Sequence, residues 1–157
     1  MALTRLQTNL RNFKNLCETL DKLNLKYEKD EEKFKVSFTA AVKEMPFDFI
    51  IRFDTDIDVV SLLSPIISDI AEERRGAMAL AVTRANLHTA VSNFDLNTKE
   101  GRLIFRISHA YADTVLSTEA YRNMIMTSVS TIGYFYEKLL KVAQNDMTLK
   151  EICALVC

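Results

Sequence analysis

The chain opens on a helical pattern. Leu3, Leu6, Leu10, Phe13, Leu16, Leu20 and Leu23 recur three or four apart, with Arg5, Arg11, Asn12, Lys14, Glu18 and Lys22 on the other face. That spacing gives one apolar stripe, so this helix packs on something along a single side. The period then changes to two. Phe34, Val36 and Phe38 alternate with Lys33, Lys35 and Ser37; Phe47, Phe49, Ile51 and Phe53 alternate with Asp48, Ile50 and Arg52; Ile57 and Val59 continue more weakly. The connections are too short for crossover helices, so the three strands form an antiparallel meander. Pro46 enters the second strand, where a missing N–H is harmless, and Pro65 is expected to end the third strand or its exit loop.

A second helix is expected from Glu72 to about Ala90, with Glu72 and Glu73 at the positive end of its dipole. A hairpin follows. Phe94 and Leu96 lie on one side of Thr98-Lys99-Glu100-Gly101, and Leu103, Phe105 and Ile107 on the other, with Gly101 supplying the positive φ of the turn. The longest helix is read from Thr118 to Gln144, behind Ser117 as N-cap. Its apolar stripe is Tyr121, Ile125, Ser128, Ile132, Phe135 or Tyr136, Leu139 and Ala143. A short appended helix is read over 148–156, capped by Thr148 and Glu151. Together these elements predict one α+β domain over 1–157: a five-stranded antiparallel sheet with packed helices.

Composition narrows the function classes. The chain of 157 residues is 48% hydrophobic and 26% charged, as expected of one globular domain with a real core. Twenty basic against twenty-one acidic residues leave no basic stripe for nucleic acid and no field for an anionic membrane. No apolar run approaches the length of a membrane span. The start lacks the apolar core of an export signal, and Cys17, Cys153 and Cys157 form no disulfide framework, so reduced thiols in a cytoplasm are expected.

Candidate chemistry is sparse. Asp54-Thr55-Asp56-Ile57-Asp58 opens like a calcium loop, but Val59 stands where the loop needs glycine and Pro65 where it needs a bidentate glutamate; a solvated acidic turn is expected instead. His88 and His109 lie at no metal-ligand spacing. Cys153 and Cys157, four apart on one helix, have poor disulfide geometry and read as small residues on a packing face. No nucleophile–base pattern or phosphate loop is present, and three glycines are too few to cradle a phosphate. No catalytic residue, cofactor site or metal site is therefore assigned.

Asn86-Leu87, followed by Ser92-Asn93-Phe94-Asp95-Leu96-Asn97-Thr98-Lys99-Glu100-Gly101-Arg102-Leu103-Ile104-Phe105-Arg106, resembles a stretch of the YbjN-like family of bacterial sensory transduction regulators. There an Asn is followed by a Phe-x-Leu-x-x-x-x-Gly strand–turn–strand. The element order is similar over nearly the whole chain; the helix at 148–156 departs from it. The resemblance implies the fold of type III secretion chaperones and a tendency to homodimerise, and it brings no catalytic residues. The function expected is a non-enzymatic protein–protein interaction module, chaperone-like or regulatory, acting as a homodimer on an unidentified protein partner. The alternative is a small-ligand sensor with its pocket between sheet and long helix. Tyr134-Phe135-Tyr136 cannot all face one core, and the terminal helix has an apolar face too wide for water, so Tyr134, Phe135, Tyr136, Leu149, Ile152 and Val156 are the candidate partner-binding residues.

Overall fold

In a computed structural model, which describes residues 3–155, the elements run α1 (Arg5–Lys22), β1 (Tyr27–Asp30), β2 (Lys35–Val42), β3 (Met45–Asp54), β4 (Val59–Ile67), a 3-10 turn (Glu72–Arg74) leading into α2 (Arg75–Asn86), β5 (Ser92–Asn97), β6 (Arg102–Ala110), α3 (Thr118–Ala143) and α4 (Leu149–Cys153). The six strands make one antiparallel sheet in the order β1-β2-β3-β4-β6-β5. The α+β class is as predicted, with one strand more. β1 has no apolar alternation, since Tyr27-Glu28-Lys29-Asp30 is a short charged margin strand, and charge there discourages further pairing.

The helices occupy one face. Val36, Phe38, Phe49, Ile51, Leu62, Phe105 and Ile107 line that face in register and are buried. Phe13 of α1 meets Phe53 edge-on, and Phe135 of α3 meets Phe94 at 5.6 Å. Such ring pairs add to the area they bury. The third strand of the meander is shifted by one from the expected alternation: Val60 and Leu62 point inward, while Ile57 is 67% exposed in the preceding turn. A slip of one residue exchanges the faces of a strand. Pro65 does not end β4. It sits inside it, where the register against β6 shifts between Pro65 and Ile67, and such an irregularity tolerates a residue without N–H.

Two helices also differ in detail from the apolar pattern. On α1, Leu6 and Leu10 are exposed, whereas Thr8, Asn9, Asn12 and Thr19 are buried. The Asn12 amide nitrogen donates to the Thr114 carbonyl at 3.0 Å, and its oxygen accepts from the Leu116 N–H and the Tyr121 hydroxyl. Tyr111 donates to Asn9 and Thr19 to the Thr118 carbonyl. These polar side chains satisfy the buried backbone that leads into α3, which is why burial follows hydrogen bonding here and not apolarity. α2 stops at Asn86, short of the expected Ala90. The long helix keeps its Ser117 cap, and Phe135, not Tyr136, completes its buried stripe, with Val142 buried in place of Ala143.

α4 begins at the expected capping box, in which the Thr148 hydroxyl accepts from the Glu151 N–H and the Glu151 carboxylate accepts from the Thr148 N–H. It packs on α2 through Ile152, and Leu155 just beyond it is buried as well. Cys153 is exposed, contrary to the packing role expected of it; Cys157 lies outside the described residues. Among the described residues no helix is long and apolar enough to cross a membrane.

Candidate functional site

The stretch that carries the family resemblance proves to be architectural. Asn86, the last residue of α2, clasps β5: its amide oxygen accepts from the Phe94 N–H at 2.8 Å and its nitrogen donates to the Phe94 carbonyl at 3.0 Å. Both groups point away from β6, so a side-chain amide takes the place of a seventh strand. Gly101 has φ +70, and a Cβ there would stand 2.4 Å from the Ile70 carbonyl oxygen. The Ile70 N–H donates to the Gly101 carbonyl, and the Arg75 guanidinium donates to the carbonyls of Ile70, Thr98 and Lys99. The motif glycine is thus required twice over, by its backbone angle and by close approach.

The opposite margin is built differently. β1 pairs only with Lys35–Phe38 of β2, leaving Thr39–Val42 with a strand neighbour on the β3 side alone. β2 and β3 join through Lys43 and Glu44, both at positive φ, which is the two-residue turn that matches strand twist. In such a hairpin the flanking pair, Val42 and Met45, exchanges its backbone groups and the bonded positions alternate from there. Ala41 therefore presents its N–H and C=O outward. Thr39-Ala40-Ala41-Val42 carries no charge that would repel an added strand.

Beside this margin, on the helix side, α3 crosses close to the hairpin. A Cβ on Gly133 would lie 3.2 Å from Val42 Cγ1, so the absent side chain sets the approach. The gap left between them is a cleft of about 230 Å³ lined by Val42, Lys43, Met45, Phe47, Tyr136 and Leu140. Phe47 meets Tyr136 edge-on with ring centroids 4.9 Å apart, and Met45 is 49% exposed at the mouth. An adjoining groove of about 400 Å³ runs past Val129, Ser130 and Gly133 to Tyr134. Tyr134 is 55% exposed, with the Lys138 ammonium 3.7 Å above its ring.

The predicted binding residues fall in two places. Tyr134 and Tyr136 flank the groove and the cleft, while Phe135 between them is spent on the core against Phe94. Leu149 and Ile152 lie on α4 and line neither; Leu149 is exposed and Ile152 is buried in the chain's own packing. Val156 lies outside the described residues. Val42, Met45, Phe47, Gly133 and Leu140 were missed as site residues. No local pattern marks them, because they meet only where α3 crosses the β2–β3 hairpin. The groups most strongly shifted in titration are tyrosines held by packing: burial pushes the Tyr121 hydroxyl far up and the Tyr27 hydroxyl to about 12. The Asp54–Asp58 turn serves as an anchor for α1, its Asp58 carboxylate accepting from Arg5 at 2.9 Å and the Asp56 carbonyl at 2.7 Å.

This arrangement, one sheet with a helical layer and the order helix, strands, helix, hairpin, long helix, is the fold shared by YbjN and type III secretion chaperones. A candidate transcription regulator from E. coli, YbjN, superposes with a TM-score of 0.61 at 12% identity, covering 85% of this chain and 92% of its own. A chain of the HopA1–SchA chaperone–effector complex superposes with a TM-score of 0.55 at 14% identity, covering 83% of this chain and 95% of its own. No protein-family model and no curated protein matches the sequence.

Proposed function

We propose that the chain is a non-enzymatic protein-interaction module, chaperone-like or regulatory, that works in the cytoplasm as a homodimer and holds an extended segment of a protein partner along Thr39–Val42. The observation that carries this reading is the uncharged, singly paired stretch of β2 lying beside an apolar cleft. An added strand supplies backbone bonds to the margin, and its alternate side chains supply specificity. One large apolar side chain of the segment fills the cleft between Met45, Phe47 and Tyr136, contributing about 2 kcal/mol. Each backbone bond adds about 1 kcal/mol. The chaperone–effector complex among the structural neighbours is consistent with a protein ligand.

The small-ligand reading fits less well. The cleft does lie between the sheet and the long helix, but its 230 Å³ is below the roughly 300–1,000 Å³ of sites that enclose a ligand, and its polar side chains are Lys43, Glu137 and the Tyr136 hydroxyl. Affinity capture from a lysate of the source cells tests the proposal when the wild type is run beside Ala41→Pro and Tyr136→Ala. The first removes the outward N–H and the second one wall of the cleft. Capture of the same protein by the wild type, lost in both variants, is expected; equal capture by all three overturns the site.

A further inference from the structure

Among the described residues no helix packs on the face of the sheet opposite the core. Across its middle, one register row runs Ser37, Ile50, Leu63, Arg106 over β2, β3, β4 and β6. Ile50 and Leu63 are half-buried, and Ile104, which alternates with the buried Leu103 and Phe105, extends the apolar centre. On β3 the row is flanked by opposite charges, Asp48 on one side and Arg52 on the other, both exposed. Among the described residues no carboxylate lies within 4 Å of Arg52. An acid, an apolar residue and a base in line, with the apolar residue central, is a pattern complementary to its own half-turn.

We propose that this face is the contact between two copies of the chain, related by a twofold axis that runs across the strands along the Ile50–Leu63 row. The inference rests on the homodimer reading above and names its surface. A half-turn about that axis keeps β3 over β3 and reverses its direction. Ile50 then closes on Ile50, and Arg52 of each copy lies over Asp48 of the other, giving two equivalent ion pairs, as an isologous contact requires. Arg106 also lies on the axis, but its charge is already met by Asp95, to which its Nε donates at 2.7 Å. Sheets packed face to face keep their strand directions within about 30° of each other, so β3 over β3 is an allowed arrangement. Glu28, exposed at the β1 end of the same row, meets its own copy only at the solvated margin. The area suffices: six strands about 4.8 Å apart and roughly 26 Å long present on the order of 700 Å², close to the ~800 Å² per partner of a standard interface. A different protein would need the reverse pattern of charge on its own flat apolar face; a second copy has it by construction.

Sedimentation of the full chain over a micromolar concentration series tests the surface. The wild type is expected at twice its 17.9 kDa. Asp48→Arg and Arg52→Asp each turn two attractions into two repulsions and are expected to weaken the dimer by at least about tenfold. The double variant Asp48→Arg with Arg52→Asp restores the pattern with its signs exchanged, and is expected to dimerise like the wild type. Its recovery also shows that the substitutions do not act by unfolding the chain. A dimer indifferent to both single substitutions, or a double variant as weak as the singles, overturns this face and leaves the homodimer standing. A wild type at 17.9 kDa throughout overturns both.

Discussion

At β5 the outward backbone groups of Phe94 are both taken by the Asn86 amide, whereas at the far margin no strand among the described residues pairs with Thr39–Val42 of β2 on their outer side. Unpaired sheet margins invite other chains, and proteins ordinarily blunt them. This chain blunts one margin with a helix-borne side chain and part of the other with the charged β1. It then stops short, leaving about half of β2 open where α3 comes nearest. The contrast supports the proposed binding margin. The margin richest in hydrogen bonds is scaffold, and the margin left open is the one that can accept a partner.

The comparison is broken most severely at the turn that holds the closed margin. Gly101→Ala places a Cβ against the Ile70 carbonyl at a positive φ and is expected to lower stability by about 3 kcal/mol. Urea unfolding measures this; an unchanged midpoint would mean that the turn is not bound to the strand–helix connection at all. Next in size is Asn86→Leu. It strands the Phe94 N–H and C=O, at about 2 kcal/mol, and converts β5 into a second open margin. Association of this variant beyond the dimer, absent when Asn86 is intact, is the distinguishing result in light scattering.

Why the sequence showed one margin and not the other follows from the same residues. Asn86, Phe94, Leu96 and Gly101 lie within one short stretch, so local spacing carried both the hairpin and its resemblance to a known family. The polar burial of Asn9 and Asn12 was invisible because their partners lie about a hundred residues away, at Tyr111 and Thr114. β1 was invisible because a charged margin strand has no alternation to detect. The cleft required Val42, Met45 and Phe47 to meet Gly133, Tyr136 and Leu140, a juxtaposition fixed only by how α3 crosses the hairpin. Tyr134-Phe135-Tyr136 pointed to the right helix because three adjacent aromatic residues cannot share one face, yet the pattern could not say which of them the core would take.

A gentler substitution separates binding from folding at the open margin. Ala41→Pro removes an N–H that no strand uses and is expected to cost less than about 1 kcal/mol. Ala40→Pro, one residue away, removes an N–H bonded to β3 and is expected to cost several times more. Urea midpoints for the pair, with partner capture measured on Ala41→Pro, sharpen the contrast. A large loss of stability at Ala41 would show that its backbone is already bonded and the margin closed.

The smallest effect concerns β1, the short guard of that margin. The Tyr27 hydroxyl donates to Asp21 at 3.2 Å, and its pKa is raised to about 12, first by burial and then by the neighbouring Cys17 and Asp21. Tyr27→Phe keeps the ring and deletes one partly exposed bond, so at neutral pH it is expected to cost about 0.5 kcal/mol. The pH dependence is the sharper readout. A hydroxyl that holds its proton more tightly in the folded chain than in the unfolded one contributes stability that is intact below the unfolded pKa, near 10, and is lost as pH rises toward 12. Tyr111 and Tyr121 are raised by burial in the same direction, so both the wild type and the variant should weaken above pH 10. The wild type should weaken more steeply, because it alone carries the Tyr27 contribution, and its margin over Tyr27→Phe should shrink between pH 10 and 12. Parallel alkaline limbs for the two proteins would show that Tyr27 is as free in the folded chain as in the unfolded one, and that β1 does not hold its end of the sheet closed.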